Sequence, residues 1–372
     1  MVNQERVLKE FFELVQVTCS TRNEREIADI LTAKLKNLGF DVFEDNVGEK
    51  IGGNTGNLFA YLKGNTPAPV IMLSAHMDCV EPCANIKPQI RDGVIYSDGT
   101  TILGSDDKAG VVAILEAIRQ VQEQKLPHGD IQVVFTVSEE GGINGSKNMD
   151  PKNLKADFGY VFDSSGAPGE IVTSAPGQYK INTIVKGKTA HAGLAPENGI
   201  NAITLAAKAF ADVKQGRIDE ETTGNVGIIK GGSATNIVPG EVTVISEARS
   251  RNPQKLEALV KTMVDHISSK IAEAGGTCEI QTNKAYDPFV LDENAPVVEI
   301  AKKAIASLGM TPVTKATGGG SDGNFYNAFG TPSAVLGVGM SKVHTTEEFI
   351  KEADLYKNVE IALALIQTVV KK

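Results

Sequence analysis

Residues 131–142 read IQVVFTVSEEGG. Six of the first seven positions are apolar or β-branched, and the run closes on Ser138 and two adjacent carboxylates, Glu139 and Glu140. A nearly continuous apolar run of this length describes a strand covered on both faces, as in the parallel sheets of α/β proteins. A buried strand that ends on neighbouring like charges needs something positive to compensate them.

Working outward, strand-like runs occur at NLFAYLKG, PVIMLSA, FGYVF and SAVLGVG, with AGVVAILEAIRQVQEQ as a helix between PVIMLSA and DIQVVFTV. Alternation of strands and helices predicts a mainly parallel sheet with helices on both faces. The segment STRNEREIADILTAKLKNLG predicts a helix opened by a capping box of Thr21 and Glu24 and stopped at Gly39. From about Gly177 the order becomes strand, helix, strand, strand, helix, strand, which is the split unit of a ferredoxin-like α+β domain. The expected organisation is a catalytic domain in two parts, 1–176 and 288–372, with an inserted domain at 177–287.

The chain has 372 residues, more than one ordinary core requires, with 41% apolar and 22% charged residues. A net charge of −9 with dispersed lysines and arginines excludes a nucleic-acid or anionic-membrane footprint. No apolar run approaches the roughly 20 residues that span a bilayer. The N-terminal MVNQERVLKEFFELVQ has helical apolar spacing with charges throughout, unlike a signal peptide. Four dispersed cysteines form neither a disulfide framework nor a zinc knuckle, so a cytoplasmic setting is expected, with Cys79 and Cys83 as packing residues.

In an open α/β sheet, ligands bind beyond the carboxyl ends of the strands. His76 and Asp78 follow PVIMLSA, Glu139 and Glu140 follow DIQVVFTV, Asp163 ends FGYVF, and His344 follows SAVLGVG. Asp106 and Asp107 precede a helix at the same rim. Imidazoles and carboxylates gathered there are tolerable around a divalent cation, zinc first, with cobalt or manganese as alternatives. The number of candidate ligands points to two cations sharing a bridging carboxylate, leaving one glutamate of the pair as a base.

In this order, SAHMD, LGSDDKAG, SEEGG, VFDSSG, GKTAHAG, TGGGSDG and VHTTEEF resemble the dizinc aminoacylase and carboxypeptidase superfamily, closest to its peptidase T-like branch. The resemblance implies a cytoplasmic two-zinc peptidase with a catalytic domain and an inserted lid. It implies His76, Asp106 and Asp163 around one zinc and Asp106, Glu140 and His344 around the other, with Asp78 orienting His76 and Glu139 as general base. It also implies a cis peptide between Asp106 and Asp107, oxyanion assistance from His191, and substrate contacts from Asn236, Arg249 and the backbone near Gly319 and Ser321. The implied substrate is a short peptide with a free amino terminus, such as a tripeptide, and the implied partner is a second copy paired through the lid.

Other readings compete. The same metal set serves N-acyl amino-acid deacylases and dipeptidases, and a non-catalytic binding protein could keep the fold. KVHTTEEF also reads as a helix cap, and Gly319–Gly323 matches the nucleophile-elbow pattern of serine hydrolases. That last pattern lacks a separate acid between Ser321 and the histidine, since Asp322 adjoins the serine.

Overall fold

Strand Ile131–Thr136 is buried at all six positions. It pairs antiparallel with Leu58–Leu62 on one side and parallel with Ile71–His76 on the other, placing His76 opposite Thr136. The computed structural model describes residues 2–370 of the chain. Across the main sheet the strands run Asp41–Glu44, Leu58–Leu62, Ile131–Thr136, Ile71–His76, Phe158–Ser164, Ser333–Gly337 and Glu170–Ala175. The expected α/β class holds, and its parallel part is the central four strands, flanked by antiparallel ones. Those four strands deliver their carboxyl ends to one rim.

Helix Ser105–Glu123 packs on strands Ile71–His76 and Phe158–Ser164. Its approach is close because position 110 is glycine: a Cβ there would lie 2.6 Å from both the carbonyl oxygen of Phe162 and Oδ1 of Asp107. The Asp106–Asp107 peptide is cis, and both residues depart from helical φ/ψ.

The chain forms two compact units. Among the described residues, one comprises 2–173, Leu291–Ala316 and 321–370, and the other comprises Ser174–Val290 with Thr317–Gly320. The second contains an antiparallel sheet ordered Gly216–Arg217, Thr222–Gly231, Glu241–Ser250, Gly177–Lys186, Thr277–Tyr286. Strand Glu241–Ser250 alternates buried and partly exposed residues. Its buried Val242, Val244 and Ala248 pack with Leu205, Ala209, Met263 and Ile267 from helices Ala202–Ala211 and Pro253–Glu273. This is the β-α-β-β-α-β unit expected from the sequence.

One local expectation, the capping box, and one competing reading, the His344 helix cap, fail. The second helix begins at Arg25, and Glu24 at its N-cap makes no side-chain cap hydrogen bond. Thr21 Oγ1 instead donates to Asp78 Oδ2 at 2.7 Å, and Glu24 Oε1 accepts the amides of Arg22 at 2.8 Å and Ser138 at 3.0 Å. Tertiary partners outbid the local capping box because both side chains are needed under the rim. His344 lies in a turn with φ 63°, not at a helix cap, and the next helix starts at Glu352. Among the described residues no helix is long and apolar enough to cross a membrane.

Candidate metal centre

The rim of the larger unit brings the expected ligands together. Nε2 of His76 lies 2.9 Å from Asp106 Oδ1 and 3.9 Å from Asp163 Oδ1. Nε2 of His344 lies 3.3 Å from Asp106 Oδ2 and 2.9 Å from Glu140 Oε1. The two oxygens of one carboxylate therefore face two different imidazoles, as a bridging ligand would. Asp106 and Glu140 side chains are 9% and 6% exposed, whereas His344 is 52% exposed, so the site opens on the His344 side.

Behind these groups, Asp78 is fully buried. Its main-chain carbonyl lies 3.1 Å from His76 Nδ1, with Oδ1 further away at 3.4 Å; Oδ1 accepts the Glu139 amide at 3.0 Å, and Oδ2 accepts Thr21 Oγ1. Asp78 thus contacts both the His76 ring and the main chain that opens the Glu139 turn. Glu139 and Glu140 diverge: Glu140 meets His344, and the Glu139 main chain is held by Asp78 in front and by the amides of Gly142 and Ile143 accepted at its carbonyl.

Electrostatics test whether these residues fit a cation. Burial pushes the carboxyls of Asp163 and Glu139 well above the usual carboxylate range. His76 opposes that shift in both, while neighbouring acids, Asp106 around Asp163 and Asp322 with Glu140 around Glu139, add to it. Burial works against a charged His76, yet Asp106 and Asp78 drive it well above its ordinary value. Asp106 first, then Glu140, push His344 up to about 10. Oε1 of Glu140 is buried and, although 2.9 Å from His344, has no well-aligned hydrogen bond. Excess negative charge and an orphaned carboxylate oxygen are what a bound dication would satisfy, with the imidazoles neutral.

Ligand atoms within 4.8 Å of one another form two groups, His76 with Asp106 and Glu140, and His76 with Asp107 and Asp163. The second group contains Asp107 where the sequence reading placed Asp106. Asp107 Oδ2 accepts the His76 amide and Oδ1 the Gly110 amide, each at 3.2 Å. Both of its oxygens are spent on main chain, which favours a clamp over a ligand. Asp106 instead has an imidazole near each of its oxygens.

Of the substrate-contact candidates, His191, Asn236, Arg249 and Gly319 belong to the second unit and Ser321 to the first. His191 and Asn236 share a ribbon in the second unit: His191 pairs with Ile237, and the Asn236 carbonyl accepts the Ala192 amide at 2.9 Å. His191 is exposed, and its Nδ1 accepts the amides of Gly193 at 3.2 Å and Leu194 at 3.1 Å. That pattern leaves the proton on Nε2. Arg249 pairs with both oxygens of Glu247, at 3.0 and 3.2 Å. The Gly319 amide turns to Thr317 Oγ1 at 3.3 Å.

Ser321 departs from expectation. Its amide donates to Asn324 Oδ1 at 3.0 Å and its hydroxyl accepts from Gly323, closing a capping box on helix Asp322–Ala328. Asp322 is buried against the hydroxyls of Thr136 and Ser146. Neither residue has a histidine partner, and the nucleophile-elbow reading falls with them.

Thr21, Glu24, Asp322 and Glu348 support the rim although local sequence patterns did not identify them there, and Asp107, expected at the rim, is a main-chain clamp. The signal available for Glu348 was its place four residues after His344 within VHTTEEF. Lys108 was also passed over: fully buried, its Nζ meets the Met77 carbonyl at 2.6 Å and Cys79 Sγ at 3.2 Å.

Residues 72–368 match the profile of Peptidase family M20/M25/M40. An aminopeptidase PepT from Bacillus cereus ATCC 10987 is 46% identical, with a TM-score of 0.92 and 100% of both chains covered. A tripeptidase from Staphylococcus aureus subsp. aureus Mu50 is 43% identical, with a TM-score of 0.97 over 100% of both chains. Peptidase T of Fusobacterium nucleatum subsp. nucleatum is 30% identical over 293 residues, 77% of this chain and 70% of that protein. With a profile match over most of its length and a rim of metal-ligating side chains, the chain belongs to peptidase family M20/M25/M40 and is a peptide hydrolase.

Proposed function

We propose that this peptidase is a two-zinc aminopeptidase of the peptidase T type that cleaves short peptides, tripeptides among them, with cobalt or manganese able to replace zinc. The observation that carries the reading is the Asp106 carboxylate, whose oxygens face His76 at 2.9 Å and His344 at 3.3 Å. His76, Asp106 and Asp163 would hold one cation, and Asp106, Glu140 and His344 the other. Bound cations supply polarisation of the scissile carbonyl and acidification of the attacking water.

The protein's own groups handle the protons. Glu139 accepts the proton of the attacking water and returns it to the leaving amine. Asp78 holds the Nδ1 side of His76, which keeps Nε2 directed at Asp106. The inserted unit serves as the lid, with Nε2–H of His191 donating to the tetrahedral oxyanion. Asn236 and Arg249 complete the substrate contacts, and Gly319 and Ser321 drop out because their amides are spent on Thr317 and Asn324.

Strand Thr222–Gly231 carries exposed Ile228 and Ile229, beyond the short stretch covered by Gly216–Arg217. This apolar edge supports pairing of two copies through the inserted units. Free cysteines throughout support a cytoplasmic location.

The test is hydrolysis of a panel of tripeptides, amino-blocked tripeptides, dipeptides and N-acyl amino acids, with metal analysis. The reading expects about two cation equivalents per chain, cleavage of free tripeptides, loss on chelation and recovery with zinc. Preference for N-acyl amino acids would make the chain a deacylase. Absence of both cations and hydrolysis after metal supplementation would reject the reading.

A further inference from the structure

Glu348 is 1% exposed, and its carboxylate lies at the centre of one curled segment. Oε2 accepts the amides of Leu103 at 2.8 Å and Gly104 at 2.9 Å. Oε1 accepts the Ser105 hydroxyl at 2.6 Å and the Asp106 amide at 3.1 Å. The curl depends on Gly104, whose φ of 77° lies in the left-handed region and lets successive amides converge on one anion. Asp106 is therefore held at its own amide by a carboxylate 242 residues away in sequence.

The same carboxylate belongs to the loop that carries His344. That loop is closed at its base by reciprocal hydrogen bonds between Ser341 and Phe349, at 2.9 and 3.0 Å, and tightened by the Glu348 amide donating to the Thr345 carbonyl at 3.1 Å. Glu348 thus joins two loops whose tips place His344 Nε2 3.3 Å from Asp106 Oδ2.

We propose that Glu348 is a positioning residue that holds the bridging carboxylate Asp106 and the ligand His344 in register, so that cation binding on the Asp106–His344 side depends on it although it touches no cation. The proposal rests on the two-cation reading above. Glutamine at this position keeps the size but offers one acceptor oxygen and one NH₂ to four donors. The Ser105 hydroxyl can turn to accept from that NH₂. A main-chain amide cannot turn, so the best placement of glutamine sacrifices the hydrogen bond to Asp106 in particular.

The experiment uses the full chain, stripped of metal and titrated with zinc against a chromophoric chelator, comparing wild type, Glu348→Gln, Glu348→Asp and Ser105→Ala. Thermal unfolding of each metal-free protein is recorded alongside. Supporting residues around metal ligands are worth about 10–100-fold in affinity. Glu348→Gln is expected to weaken one of the two zinc equivalents by about tenfold or more and to lower kcat more than it raises KM, with recovery at high zinc. Ser105→Ala removes one of the same four hydrogen bonds but leaves the Asp106 amide held, and is expected to change zinc affinity far less for a similar loss in melting temperature.

A purely structural role predicts instead that zinc affinity falls in proportion to melting temperature in both variants, and that result overturns the proposal. So does wild-type affinity for both equivalents in Glu348→Gln or, if that protein does not fold, in Glu348→Asp, whose shortened carboxylate must pull back from the segment. Wild-type protein that binds no zinc and cleaves nothing overturns the two-cation reading and this proposal together. Wild type with both equivalents, alongside an unaffected Glu348→Gln, removes only the role of Glu348.

Discussion

Replacing Glu139 with glutamine isolates proton transfer from everything else at the rim. Its backbone is fixed independently of its carboxyl, through the amide on Asp78 Oδ1 at 3.0 Å and the carbonyl accepting from Gly142 at 2.9 Å and Ile143 at 2.6 Å. The adjacent Glu140, not Glu139, lies against His344. Glutamine therefore preserves shape and cation ligands but cannot take a proton from water. General-base catalysis contributes about 10²–10⁴-fold, or about 3–5 kcal/mol of transition-state stabilisation. We expect kcat on a free tripeptide to fall by that factor, with KM nearly unchanged and zinc content equal to wild type. Melting temperature should hold or rise, since burial first, and then Asp322, Glu140 and Asp78, disfavour a charge at this position against the opposing pull of His76. Steady-state kinetics with metal analysis on the same preparation checks all three. Turnover within about tenfold of wild type, well under that expected loss, would remove Glu139 from the mechanism, and lost zinc would make it a ligand.

Asp106→Ala should lower occupancy of both zinc equivalents, because each of its oxygens faces a separate imidazole; retention of two equivalents by metal analysis refutes the bridge. Gly110→Ala should destabilise by about 1–3 kcal/mol. Its Cβ would lie 2.6 Å from the Phe162 carbonyl, an overlap that outweighs the helix-propensity gain of about 1 kcal/mol. An unchanged or raised melting temperature refutes that. Glu10, 4% exposed, pairs with Lys34 at 2.9 Å and Arg119 at 3.1 Å. Burial opposes its charge, yet Arg119 and Lys34 together hold it below the ordinary value. A depressed folded value means the stabilisation is complete above the unfolded value, about 4.3, and is lost as pH falls through the folded one. Glu10→Gln should therefore cost about 1.5–3 kcal/mol at pH 7 and progressively less below about pH 4.3. Urea unfolding at neutral and acid pH checks this, and a pH-independent difference refutes it.

The gathering of the candidate ligands at one rim was readable from linear sequence because a parallel sheet collects strand ends. Once PVIMLSA, DIQVVFTV and FGYVF are read as neighbouring strands, His76, Glu139, Glu140 and Asp163 arrive at one rim without any knowledge of the turns between them. The β-α-β-β-α-β order of the second unit was readable for a similar reason, since alternating burial and helical spacing are local properties.

The supports of the rim were hidden because their partners are remote. Thr21 and Glu24 fit a capping box by local chemistry, but the partners they found, Asp78 and Ser138, lie 57 and 114 residues away. Ser321 looked like a backbone donor to substrate until Asn324 took its amide. Asp107 and Glu348 carry the same chemical groups as the ligands beside them and differ only in what their oxygens meet. Sequence alone determined which side chains this protein could bring to a cation, because residue type and strand periodicity are written locally. Only the tertiary structure decided which carboxylates face the imidazoles and which are consumed by main-chain amides, because a carboxylate's role is set by the donors that reach it first, and those come from distant parts of the chain.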